Sequence, residues 1–172
     1  PYYSGDVKVK IEETYTRSAS GGVGSTKCAG NYGGAFYATN EAKKEGYTQI
    51  VWTDHKSHEL IEESGTMNIG FVIDDSFITP PLSDRILAGI TRDSVLTLAK
   101  DLGVKVEERK VSVEEVVSAM RNGTLKDAFG TGTAATLAQI SSITYNDERF
   151  ELPPLESRTL SKEIGQIIQD IK

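Results

Sequence analysis

Alternating apolar and polar residues indicate the strands of this chain. Residues 7–11 alternate strictly, as a half-buried strand does. Short apolar runs between turn residues predict further strands at residues 49–53, 58–61, 67–73, 105–111, 128–132 and 140–145. Gly65 stands at the turn between the strands at 58–61 and 67–73, and Pro80 and Pro81 end the extended piece that follows them.

Apolar residues at helical spacing predict helices at residues 31–45, 91–102, 113–121 and 159–171. Gly46 and Gly103 follow the first two, in the usual position for a residue that ends a helix. Thr91 is the expected N-cap of the second helix. Ser112, followed three residues later by Glu115, has the spacing of a capping box at the start of the third.

These elements lack the strict β-α-β alternation of a doubly wound sheet. The pattern therefore predicts an α+β fold, a mixed β-sheet or pseudo-barrel with flanking helices. With 172 residues, 38% of them hydrophobic, and no long linker, we expect a single domain spanning residues 1–172. The chain begins Pro1-Tyr2-Tyr3 without an initiator Met, so we expect it to be a domain of a longer polypeptide.

The composition excludes several classes of protein. Lys and Arg number 19 against 25 Asp and Glu, a net charge of −6, whereas a nucleic-acid-binding surface would be basic. No apolar run approaches the roughly 18 residues of a membrane span, so we expect no membrane partner. The single Cys28 excludes an internal disulfide and a cysteine-built metal site. These features suggest a cytosolic or organellar protein, and of the two we expect a cytoplasmic one, without a bound metal.

A Gly-rich run, Gly21-Gly22-Val23-Gly24-Ser25-Thr26-Lys27, is the first candidate for chemistry. A P-loop places Lys directly after its last Gly and Ser or Thr after the Lys, so this spacing disfavours a nucleotide site. One alternative is that the glycines let the backbone approach a bulky planar ligand, with Lys27 directed at it. The other is a solvated lysine after a flexible turn.

Three further segments offer charge or hydrogen-bond donors. Glu62 and Glu63 precede the apolar strand at 67–73, and an acid that points into the interior there would need a cationic partner. The turn before Thr91 and the small residues at 130–135 offer N–H and O–H groups to an anion. Each of these segments is also compatible with an ordinary solvated turn or helix cap.

Four motifs occur in a fixed order: GGVGSTKCAGNY at 21–32, ESGTMN at 63–68, PPLSDRILAGITR at 80–92 and GTGTAA at 130–135. Together they resemble the C-terminal domain of the branched-chain amino acid aminotransferases, which are fold-type-IV pyridoxal-phosphate enzymes. The resemblance covers essentially the whole chain. It implies the large C-terminal domain of the D-amino acid aminotransferase-like fold, with the small N-terminal domain absent from this chain.

The resemblance implies roles for residues around the cofactor ring, pyridoxal 5'-phosphate. Lys27 would form the Schiff base and act as the catalytic proton carrier, because a primary amine is needed to condense with an aldehyde. Tyr32 would hydrogen-bond the phenolic oxygen, and Thr66 would lie beside the cofactor. Glu63 would face the pyridine nitrogen and keep it protonated.

The resemblance also implies where the charged groups are held. The backbone N–H groups of Ile90 and Thr91, together with Thr133, would bind the phosphate, and the turn at Thr133 and Ala134 would bind the substrate carboxylate. The family's phosphate-binding arginine belongs to the absent N-terminal domain. We identify no arginine of this chain as its substitute.

The implied activity is transfer of the amino group of leucine, isoleucine or valine to 2-oxoglutarate, in a full-length parent that is a homodimer. We expect the 172-residue chain alone to be almost inactive, because the N-terminal domain supplies part of the pocket. Two alternatives stay open. One is another type-IV enzyme, of the D-amino acid aminotransferase or aminodeoxychorismate lyase type; the other is a phosphate- or nucleotide-binding module that uses residues 21–27.

Overall fold

The computed structural model describes residues 7–134 and 136–171. The helices are α1 (Ala29–Lys44), α2 (Ile90–Asp101), α3 (Val113–Arg121) and α4 (Leu160–Ile171), with a short 3-10 helix at Leu155–Ser157. The strands are β1 (Val7–Ile11), β2 (Gln49–Thr53), β3 (Leu60–Ser64), β4 (Asn68–Ile73), β5 (Ser76–Thr79), β6 (Lys105–Glu108), β7 (Val111–Ser112), β8 (Leu125–Gly132), β9 (Thr136–Tyr145) and β10 (Glu148–Glu151).

These strands form one mixed sheet in the order β6-β5-β4-β8-β9-β1-β2-β3-β7, with β10 paired to β9. β1 runs parallel to β2 and β9, and β5 runs parallel to β6, while the remaining pairs are antiparallel. β3 and β4 lie far apart in this order, yet a tight turn joins them through the Ser64–Met67 bridge. The sheet therefore curls back on itself, which confirms the predicted α+β class with a mixed, barrel-like sheet.

Within the described residues, three apolar clusters hold the fold together. The largest fills the curl, where alternate β1 residues such as Val9 meet β4, β8, β9 and the apolar face of α3. A second cluster packs α2 and α4 on the outer face of the sheet, around the stacked rings of Phe77 and Phe129. A third seats α1 on β2 through Ala38, Ala42 and Trp52. Both faces of the sheet are therefore covered by packed side chains and helices. This packing fixes the positions of the strand ends that carry the site.

Most predicted elements agree with the structure, and the exceptions have local causes. The strand predicted at 58–61 begins only at Leu60, because His58 has φ 56° in a turn whose N–H groups bind the Asp54 carboxylate. The strand predicted at 105–111 is two short strands that pair with different neighbours. The capping box is confirmed, since the Ser112 hydroxyl accepts a hydrogen bond from the Glu115 N–H at 3.0 Å.

Candidate active site

Two adjoining cavities form one cleft beside α1 and the β3–β4 turn. Their volumes are about 240 and 480 Å³, and the larger lies in the range of small-molecule sites. Every site residue indicated by the resemblance lines the larger cavity: Lys27, Tyr32, Glu63, Thr66, Ile90, Thr91, Thr133 and Ala134. The structure therefore brings together residues from four separate segments of the chain.

Lys27 lies at the end of the Gly-rich loop, immediately before α1. The Asn31 side chain donates hydrogen bonds to the carbonyls of Val23, at 2.9 Å, and Thr26, at 2.8 Å. These bonds tie the end of the loop to the first turn of the helix. The Lys27 side chain is exposed to solvent and lines both cavities, so its amine is accessible from the cleft.

Glu63 is the buried carboxylate of the cleft, with 3% of its side chain exposed. Its Oε2 lies 3.1 Å from Arg17 Nη2. Its Oε1 accepts hydrogen bonds from the Leu87 N–H at 2.8 Å and from Asn68 Nδ2 at 3.3 Å. The expectation that an acid here points inward and needs a cationic partner is confirmed, and the partner is Arg17.

These surroundings make Glu63 titratable near neutral pH. Burial raises the pKa of Glu63 from 4.5 to about 7, because removal from water disfavours the charged form. The positive charges of Arg17 and Lys27 and the Leu87 N–H act in the opposite direction. Lys27 is thus close enough to Glu63 for the two charges to interact, across the cleft that both residues line.

Tyr32 and Thr66 stand at the rim of the cleft. Tyr32 is 40% exposed on the first turns of α1. Thr66 is at the tip of the β3–β4 turn, where Ser64 and Met67 exchange two backbone hydrogen bonds of 2.9 Å. Gly65 has φ +57°, a conformation that favours glycine, and a Cβ there would lie 2.1 Å from a Gln49 side-chain oxygen. The turn geometry therefore requires Gly65 and places Thr66 against the cleft.

The N-terminus of α2 points its free amides at the larger cavity. The predicted Thr91 N-cap is wrong: α2 begins at Ile90, and its N-cap is Gly89, which has no side-chain cap. The first N–H groups of a helix have no intrahelical acceptor, and a capping side chain would occupy one of them. With glycine at the N-cap, the amides of Ile90 and Thr91 stay available to an anion.

The β8–β9 turn adds hydroxyl and amide groups on the opposite side of this cavity. Thr133 and Ala134 are exposed there. Thr131, two residues earlier on β8, is 3% exposed, and its Oγ1 has no hydrogen-bond partner among the described residues. A buried hydroxyl without a partner is costly in a folded protein and is often explained by a bound ligand or water.

Sequence reasoning missed part of this site. Asn68 and Leu87 lie inside the quoted motifs, so their positions carried a signal that was not used. Arg17 lies between β1 and α1 in a segment without apolar periodicity, and Thr131 is one of several threonines around Gly130 and Gly132. Only the tertiary structure identifies Arg17 as the Glu63 partner and Thr131 as buried.

The arrangement combines an accessible amine, a buried carboxylate and free helix amides in one cleft. Such a set suits a planar ligand that carries a negatively charged group at one end and reacts with an amine at the other. Residues 7–134 and 136–171 contain no group of three or more His, Cys, Asp or Glu side chains able to hold a metal ion. In the same residues, no helix has the length and apolar character needed to cross a membrane.

Comparisons with known proteins identify the family of this chain. The family model described as "Amino-transferase class IV" matches residues 7–143. The "Probable branched-chain-amino-acid aminotransferase" of Staphylococcus epidermidis is 44% identical over 153 residues, 87% of this chain and 43% of that protein. The "Branched-chain-amino-acid aminotransferase 2" of Bacillus subtilis is 39% identical over 96% of this chain and 46% of its own length.

Solved structures give the same result. The branched-chain amino acid aminotransferase of Escherichia coli superposes with a TM-score of 0.78 at 28% identity, over 95% of this chain and 51% of that one. The enzyme of Thermobaculum terrenum in its PLP form gives a TM-score of 0.75 at 26% identity, over 97% and 52% of the two chains. The chain spans about half the length of the curated relatives it matches.

Proposed function

The chain belongs to the class IV amino-transferase family, and we propose that it is the cofactor-binding part of a branched-chain amino acid transaminase that holds pyridoxal 5'-phosphate. The main support is that Lys27, Glu63 and the α2 N-terminus all line one cavity of about 480 Å³. The names of the relatives and of the superposed structures support the same activity.

The residues of the cleft fit this cofactor. When bound, pyridoxal phosphate supplies an aldehyde that condenses with amines and a ring that stabilises negative charge on the substrate α-carbon. Its phosphate suits the free amides of Ile90 and Thr91 and the Thr133 hydroxyl, since a dianion is stabilised by a helix N-terminus and by donors. The unpartnered Thr131 hydroxyl lines the same cavity, which also favours a polar ligand there.

We propose two tasks for Lys27. Its accessible amine is the attachment point for the aldehyde. With the cofactor and a substrate bound, Lys27 Nζ would carry a proton between the substrate α-carbon and the cofactor, first as base and then as acid. Both tasks need the amine to stay within the cleft, which Lys27 and Glu63 both line.

Glu63, paired with Arg17, would supply the negative charge for the pyridine nitrogen of the cofactor. Because Arg17 and the Leu87 N–H oppose the effect of burial, the pKa of Glu63 stays near 7 and its carboxylate remains available. A carboxylate facing the pyridine nitrogen keeps that nitrogen protonated. Tyr32 and Thr66 line the cavity as ring contacts, and the Thr133–Ala134 turn offers its donors to the substrate carboxylate.

The proposal extends to the whole protein. The substrates would be leucine, isoleucine and valine, with 2-oxoglutarate as the acceptor of the amino group. A small N-terminal domain would belong to the same polypeptide, the parent would be a cytoplasmic homodimer, and residues 1–172 alone would have little activity. The exposure of Lys27 and of Tyr32, which is 40% exposed, supports a pocket completed by other parts of the protein.

Absorption spectroscopy tests the cofactor assignment. Mixing the chain with pyridoxal phosphate is expected to produce a new band near the visible edge. The band is expected to vanish in Lys27→Ala and in Lys27→Arg, which keeps the charge but cannot condense with the aldehyde. Lys43→Ala is the matched control, because Lys43 lines only the smaller cavity. Nucleotide binding without such a band would overturn the proposal in favour of a phosphate-binding module.

Turnover by the full-length parent tests the substrate class. With 2-oxoglutarate as acceptor, L-leucine is expected to react and D-alanine is not. Turnover of only the D-isomer would reject the branched-chain assignment and favour another type-IV enzyme. Leucine transamination by residues 1–172 alone would contradict the expectation that the pocket is incomplete.

A further inference from the structure

The segment Ser83–Leu87, between β5 and α2, touches both the loop that carries Lys27 and the strand that carries Glu63. On the loop side, Asp84 receives two backbone N–H groups. The Gly21 N–H donates to Asp84 Oδ2 at 2.6 Å, and the Ser25 N–H donates to the Asp84 carbonyl at 3.0 Å. Asp84 therefore binds the Gly-rich loop near both of its ends.

Arg85 binds the residues just before the Gly-rich loop through its backbone and its side chain. Its carbonyl accepts a hydrogen bond from the Ser18 hydroxyl at 3.0 Å and another from the Arg17 guanidinium. Its Nη1 donates to the Ser20 hydroxyl at 2.8 Å. The Arg85 side chain is only 22% exposed, so these contacts are partly shielded from water.

Gly24 shows how closely the loop approaches this segment. A Cβ at Gly24 would lie 2.8 Å from both the Cα and the carbonyl oxygen of Arg85, and 2.6 Å from Ser18 Cβ. Because those neighbours are mostly backbone, they cannot move aside as a flexible side chain would. Gly24 is thus required by close packing, not by its backbone conformation.

The other side of the segment holds the strand of the carboxylates. Arg85 Nε donates to Glu62 Oε1, and the Leu87 N–H donates to Glu63 Oε1 at 2.8 Å. Glu62 is 3% exposed, so its carboxylate needs a cationic partner. One short stretch of chain therefore contacts the two elements that face each other across the cleft.

We propose that Asp84 and Arg85 are positioning residues that clasp the Lys27 loop against the Glu62–Glu63 strand and so set the Lys27 amine opposite the Glu63 carboxylate. This inference rests on the proposed function for its catalytic meaning. A loop with glycines at 21, 22 and 24 has many accessible conformations, so it needs external contacts to hold one of them. Neither residue lines either cavity of the cleft, so both would act through the loop.

A pair of Gly→Ala substitutions tests the clasp. Gly24→Ala inserts a methyl group into the contact with Arg85, whereas Gly33→Ala in α1 places the same methyl group in open space. In Gly24→Ala, we expect faster amide hydrogen exchange at Gly21 and Ser25 and a weaker pyridoxal phosphate complex, with the dissociation constant on the order of tenfold higher. Gly33→Ala is expected to leave the exchange and the dissociation constant as in the parent chain.

The titration of Glu63 supplies a readout that a purely structural role would not change. The charges of Arg17 and Lys27 both lower the pKa of Glu63, and Arg17 Nη2 donates to the Gly24 carbonyl at 3.2 Å. Moving the loop away in Gly24→Ala is therefore expected to raise that pKa above about 7. The measurement follows the Glu63 side-chain carboxyl carbon by NMR without any cofactor. Equal Glu63 titration and equal loop exchange in Gly24→Ala and Gly33→Ala would overturn the proposal.

Two further substitutions decide the question if Gly24→Ala does not fold. Ser20→Ala removes the hydroxyl that Arg85 Nη1 contacts, and Arg85→Met removes the side-chain bonds to Ser20, Glu62 and Asp84. Arg121→Met is the control, since Arg121 pairs with Glu148 on the surface. Faster amide exchange at Gly21 and Ser25 in Ser20→Ala and Arg85→Met, but not in Arg121→Met, supports the clasp. Unchanged exchange in Ser20→Ala and Arg85→Met refutes it. A parent chain that fails to bind pyridoxal phosphate would refute the proposed function, while the exchange data still decide the clasp.

Discussion

Two buried ion pairs of the same chemistry serve different purposes in this fold. Arg17 and Glu63 lie 3.1 Å apart with 9% and 3% of their side chains exposed, and Arg158 and Asp127 lie 3.3 Å apart with 1% and 3% exposed. Burial raises the pKa of both acids. Glu63 lines the cleft opposite Lys27, whereas Asp127 lines neither of its cavities. Burial and a raised pKa are thus common to both acids, and what marks Glu63 as the candidate functional carboxylate is its place on an open cavity.

The second pair fastens α4 to the sheet. Arg158 donates to the carbonyls of Ile140, at 2.7 Å, and Pro153, at 2.8 Å. Asp127 accepts a hydrogen bond from the Ser161 N–H at the start of α4, at 3.3 Å. Every one of these partners belongs to the framework of the fold. We therefore expect mutation of the Arg158–Asp127 pair to affect mainly stability, and mutation of the Arg17–Glu63 pair to affect mainly cofactor binding.

The largest effect on stability is expected from Arg158→Met. The substitution leaves Asp127 buried without its cation, at an expected cost of about 3–5 kcal/mol in the free energy of unfolding. Urea unfolding measures this cost. The folded fraction should bind pyridoxal phosphate as the parent chain does. A small loss of stability, or a specific loss of cofactor affinity, would contradict the structural role given to the Arg158–Asp127 pair.

Arg17→Met is expected to lower the free energy of unfolding less than Arg158→Met does, and to weaken cofactor binding more. Glu63, whose pKa is already about 7, can take up a proton instead of staying charged and unpaired, so the expected cost is only about 1–3 kcal/mol. Without the Arg17 charge, the pKa of Glu63 should rise further and pyridoxal phosphate binding at pH 7 should weaken. NMR titration and a binding isotherm check both effects. An unchanged pKa of Glu63 would contradict the assigned pairing.

Glu63→Gln is expected to change how stability depends on pH. The pKa of Glu63 in the folded chain, about 7, exceeds its ordinary value of 4.5, so the folded state binds more protons between these pH values. This group's contribution is therefore present below about pH 4.5 and is lost as pH rises through about 7. Unfolding measured at several pH values should show a shallower decline in Glu63→Gln. Parallel curves would show that Glu63 titrates normally.

The smallest effect is expected from Arg121→Met. Arg121 and Glu148 form an ion pair with 58% and 48% of their side chains exposed. Exposed pairs contribute little because water and salt screen them. Thermal unfolding should therefore give a midpoint indistinguishable from that of the parent chain. A clear loss would show that burial is not what distinguishes the other two pairs.

Local patterns predict much of this fold. Strict alternation identifies β1, and the Ser112–Glu115 spacing identifies the start of α3, because both signals lie within a few residues of chain. β10 was not predicted, because its sequence, Glu-Arg-Phe-Glu, is almost entirely charged and lacks an apolar run. The strand forms by antiparallel pairing with β9. The Thr91 cap was wrong because Gly89, not Thr91, precedes the first helical residue.

The site was predictable where its residues lie in contiguous motifs. Lys27 and Glu63 each stand in a run whose order matches a known family, and the structure places them on one cleft. The pairing of Arg17 with Glu63 and the contacts of Asp84 and Arg85 with the loop join segments distant in sequence. No local propensity encodes which distant residue meets a buried carboxylate, so these contacts required the structure.

Mapping the cofactor-modified lysine tests the central claim most directly. The chain is treated with pyridoxal phosphate, the bond to lysine is reduced with borohydride, and the modified peptide is identified by mass spectrometry. The account predicts modification of Lys27 at low cofactor concentration, with Lys105, whose side chain is 72% exposed, left unmodified. Modification spread over exposed lysines such as Lys105, with no preference for Lys27, would contradict it.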